Sequence, residues 1–128
     1  LDWRTEIPPF LERMTEYAYG TVKALEGKIG YINFVTRISP DCDCFPWSDQ
    51  PIVPDVGILA SKDPVAIDMA SYDLVNEQTG FRDTKLKGAF EKGEDKFRAM
   101  RPNVDAKIPF RYGEELGLGS QGYELIRI

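Results

Sequence analysis

The stretch "SPDCDCFPWSDQPIVPD", Ser39–Asp55, sets the first limit on the fold. Pro40, Pro46, Pro51 and Pro54 each fix a backbone angle and remove a hydrogen-bond donor, so no helix or inner strand runs through it. On one side lies "KIGYINFVTRI", with β-branched and aromatic residues on both faces, as a central strand has; on the other lies "VGILA", a short buried strand over Val56–Ala60. A connection this long inside a compact domain is functional or disordered as a rule. Phe45, Trp47, Ile52 and Val53 argue for order, and the prolines lower its entropic cost. Residues 39–55 therefore read as an ordered loop rich in Cys, Asp and Pro.

The remaining periodicities place helices around these strands. Phe10, Leu11, Met14, Tyr17, Ala18, Thr21, Val22 and Leu25 recur at three-and-four spacing and predict a helix over Ile7–Glu26. Pro8 and Pro9 suit its first turn, and Gly27 its end. In "SKDPVAIDMASYDLVNEQTG", Asp63 is an N-cap and Pro64 the first helical residue; the helix is apolar round most of its girth and ends at Gly80. Leu86, Ala89, Phe90, Gly93, Phe97 and Met100 predict a third helix over Thr84–Arg101, weakened by Gly88 and Gly93. "FRYGEELGLGS" adds a short turn of helix and "YELIRI" a last strand. The pattern is α/β: a small mixed or parallel sheet of about three strands with packed helices, a single domain over residues 1–128. So few strands, and an opening "LDWRTEIPPF" that begins at Leu1 without a helix start of its own, point to a piece of a larger protein.

The formal net charge is −5 and there is no histidine. Nucleic acids and anionic membranes are bound largely through Lys and Arg, so neither is an expected partner. Any catalysis falls to Asp, Glu, Cys, Lys or Tyr. No apolar run approaches bilayer-spanning length, and no leader pattern is present. The only two cysteines, Cys42 and Cys44, are too few and too close for a secreted disulfide framework, so a reducing cytoplasm is expected. Charge is also unevenly spread. Ile38–Phe81 carries a net −7, with Lys62 its only base, which leaves +2 for the rest. Several of these aspartates suit caps and turns, but that does not explain the missing bases.

Cys42 and Cys44 form a thiolate pair of the kind that binds zinc, iron or an iron–sulfur cluster. Such centres normally take four ligands, so two thiols are a half-site. In an extended loop, residues two apart point the same way and both sulfurs face one ion. Asp41 and Asp43 alternate with the thiols; crowded anions of this kind are costly unless a cation lies among them. Asp49 and Asp55 are further candidate ligands from the same loop, and Asp41 and Asp49 equally suit turns. Asp68, among the apolar Ile67, Met69 and Ala70, reads as a buried carboxylate in need of a partner. That partner is Lys62 or Arg37, a loop amide, or the thiol loop. Glycines near Gly113 and in "GLGS" lack the strand–glycine–helix context of a phosphate cradle.

The blocks "INFVTRISPDCDCFPWSDQPIVPDVGILASKDPVAIDMASYDLVN", "GEDKFRAM" and "YGEELGLGSQGYELIRI" resemble the family called domain of unknown function 362. Its members are often described as iron–sulfur-binding proteins, and many carry a ferredoxin-type double-cluster segment. The resemblance implies the C-terminal portion of a longer protein, with a 4Fe–4S cluster or a single Zn or Fe ion as cofactor. It implies as partner a ferredoxin-type segment or the N-terminal part, and leaves a homo-oligomer open. Cys42, Asp43 and Cys44 carry the Cys-Asp-Cys motif, and Asp63–Asp68 the "DPVAID" block.

The leading expectation is a metal- or iron–sulfur-associated module of a cytoplasmic redox or electron-transfer protein. Cys42 and Cys44 are its ligands, Asp41, Asp43, Asp49 or Asp55 auxiliary ligands, and Asp68 a supporting group. The alternatives are an enzyme whose acidic loop holds a divalent cation against a small anionic substrate, and a structural interaction module without metal.

Overall fold

A computed structural model describes residues 6–25, 27–42, 44–47 and 49–128. Its elements run α1 (Ile7–Ala24), β1 (Tyr31–Val35), β2 (Gly57–Ser61), α2 (Pro64–Asn76), α3 (Lys96–Met100) and α4 (Ile108–Glu115). β1 and β2 pair as a two-stranded antiparallel sheet. The mixture of helices and strands is the expected one, but the parallel arrangement and the third strand are not. Among the described residues "YELIRI" forms no strand, and Leu125, Ile126 and Ile128 are exposed. Burial along β1 and β2 alternates, so they are not the doubly buried strands their composition suggests; Phe34 is 68 % and Ile58 64 % exposed. No helix of the described chain is long and apolar enough to cross a membrane.

The chain gathers into two compact units, one of Leu1–Ile32, Ala60–Ala70 and Val104–Ile128, the other of Asn33–Leu59 and Ser71–Asn103. In the first, α1 begins on its two prolines and ends near Gly27, whose φ of 75° is the left-handed turn a glycine allows. α1 packs on α4. Thr15 is buried, its hydroxyl donating to the Leu11 carbonyl at 2.9 Å. Met14, Tyr17 and Leu25 are exposed, so the apolar face of α1 is wider than what covers it. On α4, a Cβ at Gly113 would lie 3.0 Å from Val65 and 3.6 Å from Thr15, so a residue without a side chain permits close packing here.

Asp63 caps α2 as its position before Pro64 predicts. Its Oδ1 accepts from the Val65 and Ala66 amides, both at 2.9 Å, and its Oδ2 accepts from the Ser120 amide at 2.9 Å. A Cβ at Gly119 would collide with that carboxylate. The second glycine of "GLGS", Gly119, thus serves the close passage of the chain's last segment over a helix start. Glu114 holds the same segment, accepting from the Ser120 hydroxyl and the Gln121 amide.

The second unit closes over Val35, Ile52, Val53, Val75 and Leu86, with Ile38, Val56, Phe90, Phe97 and Met100 packed against them. The helix expected over Thr84–Arg101 is confined to α3. Ala89 and Gly93 take φ values of 56° and 82°, which break the right-handed run. Asp95 then caps α3, accepting from the Arg98 amide at 2.9 Å. The reason for the detour is tertiary. Gly80 donates to the Phe90 carbonyl and Gly93 to the Asn76 carbonyl, both at 2.8 Å, so this segment folds back on the end of α2.

Lys96 locks that arrangement. Its residue exposure is 0 %, and its Nζ donates to the carbonyls of Asn76 at 2.8 Å, Glu91 at 2.8 Å and Glu94 at 3.2 Å. Its own amide donates to the Asn76 side chain at 2.9 Å. Burial pushes the ammonium below the ordinary lysine value, while the carboxylates of Glu94, Glu77, Glu91 and Asp95 pull the other way.

Candidate functional site

The loop that carries the thiols belongs to the second unit and is pinned at both ends. Ile52 donates to the Ile38 carbonyl and Val56 to the Val35 carbonyl, each at 2.9 Å. Arg37, left-handed at φ 50°, donates its amide to Asp55 Oδ1 at 2.7 Å. Ile52 and Val53 turn inward and are buried. Burial of these two side chains in mid-loop fixes this part of the chain on the core of the second unit.

Cys42 and Cys44 lie in a tight turn closed by the Phe45 amide donating to the Cys42 carbonyl at 3.0 Å. This corrects the extended geometry expected from their spacing. The sulfur of Cys42 instead curls back to accept from the Cys44 amide at 3.5 Å. Both residues are exposed and carry thiols, not a disulfide. Just beyond them the rings of Phe45 and Trp47 meet at 5.4 Å, tilted by 47°.

The positive charge that clustered aspartates require comes from downstream in the chain. Asp41 accepts from Lys85 Nζ at 2.9 Å and from Arg101 Nη2 at 2.6 Å. Lys85 also lies 3.2 Å from Asp49, which accepts from the Gln50 amide at 2.8 Å. Asp41 and Asp49 thus anchor the loop, and Asp55 holds the Arg37 amide. Asp43 lies outside the described residues. Asp68 lies on α2 in the first unit and is exposed. The burial inferred from its apolar neighbours is absent, because it falls on the one strip of α2 that faces water.

Among the described residues no group of three or more Cys, Asp or Glu is placed to hold a metal ion. Lys85 and Arg101 lie 44 and 60 residues beyond Asp41, outside the loop's own sequence. The missing bases between Ile38 and Phe81 were the only signal that cations must arrive from elsewhere.

Lys85 and then Arg101 hold the Asp41 carboxyl below its ordinary value of 3.8; the Gln50 amide and then Lys85 do so for Asp49. A carboxyl whose folded pKa is lowered stabilises the fold fully above its unfolded value, and that contribution is lost as pH falls through the folded value. The loop should therefore stay anchored down to pH 3.8 and loosen below it. Trp47 fluorescence in a Trp3→Phe background reads this. Asp41→Asn should be loosened already at pH 7 and lose its share of the acid transition; an acid midpoint equal to the parent's would refute the anchoring role.

The family model described as "Domain of unknown function (DUF362)" matches residues 2–73, more than half of the 128-residue chain. The match takes in α1, β1, the thiol loop, β2 and most of α2, whereas the blocks at 93–100 and 112–128 lie outside it. No match was found among curated proteins. None was found among solved structures. With α1, β1, the thiol loop, β2 and most of α2 matched, the chain belongs to the family designated domain of unknown function DUF362.

Proposed function

We propose that the protein is a metal- or iron–sulfur-associated module of a redox or electron-transfer protein, with Cys42 and Cys44 as donors to the centre. One observation carries this reading: two exposed thiols sit in a single turn, with the Cys44 amide donating to the Cys42 sulfur. Soft ions of the zinc and iron class take thiolate ligands in such numbers that two sulfurs are half of a set. Bound iron–sulfur chemistry would supply one-electron transfer. The chain's own part is to hold and orient the donors. Asp41 and Asp49 serve this part as anchors, because Lys85 and Arg101 already engage their oxygens.

The test is metal analysis of anaerobically purified full-length protein. Cys42→Ser and Cys44→Ser should each lower iron or zinc content by the equivalent of one centre, with the fold unchanged because both positions are exposed. If both variants keep the parent's full metal content, the reading is wrong. Titration with Mg²⁺ and Zn²⁺ tests its rival: preference for the harder ion would transfer the site from sulfur to carboxylate.

A further inference from the structure

We propose that α3 acts as a strut that carries the position of the buried Lys96 ammonium to the thiol loop, so that the bonds at the end of α2 set how firmly the turn of Cys42 and Cys44 is held. The strut is fixed at both ends, in opposite surroundings. At its first residue Lys96 is wholly buried; its Nζ donates to three carbonyls and its amide to the Asn76 side chain. Just past its last residue, the Arg101 amide donates to the Phe97 carbonyl at 2.9 Å, which keeps Arg101 on the helical turn. The guanidinium then donates from Nη2 to Asp41 Oδ1 at 2.6 Å and to the Pro40 carbonyl at 3.4 Å. One side chain thus holds the two residues that lead into Cys42.

A helix of five residues is about 7.5 Å long at 1.5 Å per residue. That is far below the ~60–100 Å radius over which helices curve, so α3 shifts as one piece. Its flank is packed: the rings of Tyr72 and Phe97 stack at 4.8 Å and 19°, and Phe97, Ala99 and Met100 lie against the core of the second unit. Apolar contacts are non-directional, whereas hydrogen bonds fix distance and angle. The four bonds of Lys96 therefore decide where along that surface the helix stops, and with it the reach of Arg101. Lys96 is in this sense a positioning residue for a turn it does not touch. Asp41 has a second partner in Lys85 at 2.9 Å, so a shifted α3 loosens the turn without freeing it. All these residues belong to the second unit. The link stands on packing and charge alone and needs no ion at the thiols.

Amide hydrogen exchange of the full-length protein at pH 7 reads both ends of the strut. The Phe45 amide closes the thiol turn, and the Lys96 amide is bound to Asn76. Lys96→Met should speed Phe45 exchange about tenfold in the parent, but less than about twofold once Arg101→Gln has already cut the link. General destabilisation would speed it by the same factor in both backgrounds, and that result would overturn the strut. If Lys96→Met does not fold, Arg101→Gln alone decides, because coupling between two sites is reciprocal. This change to an exposed side chain should speed Lys96 amide exchange about threefold or more. A Lys96 amide that exchanges at the parent's rate would overturn the strut as well.

Discussion

Lys96→Met should lower the free energy of unfolding by about 3 kcal/mol, read from urea denaturation with an unchanged slope. Two opposing effects decide this number. Removing a buried ammonium relieves its desolvation cost, which favours the variant. Against that, three carbonyls lose the ammonium as a donor; the Asn76 carbonyl keeps the Gly93 amide and the Glu91 carbonyl the Glu94 amide, so each loss falls toward the lower end of about 1–3 kcal/mol. The Asn76 carbonyl lies in the most buried of the three bonds and the Glu91 and Glu94 carbonyls in partly buried ones, so the loss wins without reaching the sum of three full penalties. Methionine keeps the length and apolar stem, so packing loss does not confuse the comparison. Lys92→Met, on an exposed residue of the same segment, should change stability by no more than about 0.5 kcal/mol. A Lys96→Met protein as stable as Lys92→Met would mean that the ammonium organises nothing.

Leu86→Ala has an expected cost of about 3 kcal/mol by the same measurement, within the range for leucine truncation in a well-packed core. Leu86 is buried among Val35, Ile52, Val53 and Val75. Its position is fixed by polar bonds: its amide donates to Thr84 Oγ1 at 3.2 Å, and Thr84 donates to the Phe81 carbonyl at 2.9 Å. The backbone around it is tight. A Cβ at Gly80 would stand 2.6 Å from a Leu86 methyl and 3.1 Å from the Phe90 Cα. Such a site cannot collapse easily to fill the space, which puts the cost toward the middle of the range and not its lower end. Because Ile52 and Val53 share this cluster, the same truncation should also loosen the thiol loop. A drop below about 1 kcal/mol would show that the surroundings relax after all.

What the sequence disclosed followed from local chemistry. Pro8, Pro9 and Gly27 bracket α1, and Asp63 with Pro64 starts α2, because caps act within a few residues of the atoms they satisfy. Between Ser39 and Asp55 the prolines likewise limit the chain before any contact forms, and no helix or strand runs through the described residues there. The misread helix over Thr84–Arg101 had the right spacing of apolar residues. Its geometry is set instead by Asn76, Phe90 and Lys96, whose bonds link residues up to 20 positions apart. "YELIRI" has strand composition, but a strand exists only where a partner offers a ladder. At the site, the acidic charge announced a need for cations and could not name them, since Lys85 lies 44 and Arg101 60 residues from Asp41. Asp68 shows the same limit, because neighbours in sequence do not tell which strip of a helix meets water.

The ionic anchoring of the thiol loop implies that the loop and its core respond to different conditions. Lys85 and Arg101 are each about half exposed, so concentrated electrolyte screens their attraction to Asp41 while leaving Ile52 and Val53 in place. High-salt buffers will therefore blur the sulfur positions without unfolding the protein. A handling choice as ordinary as a desalting step decides how well the pair is poised.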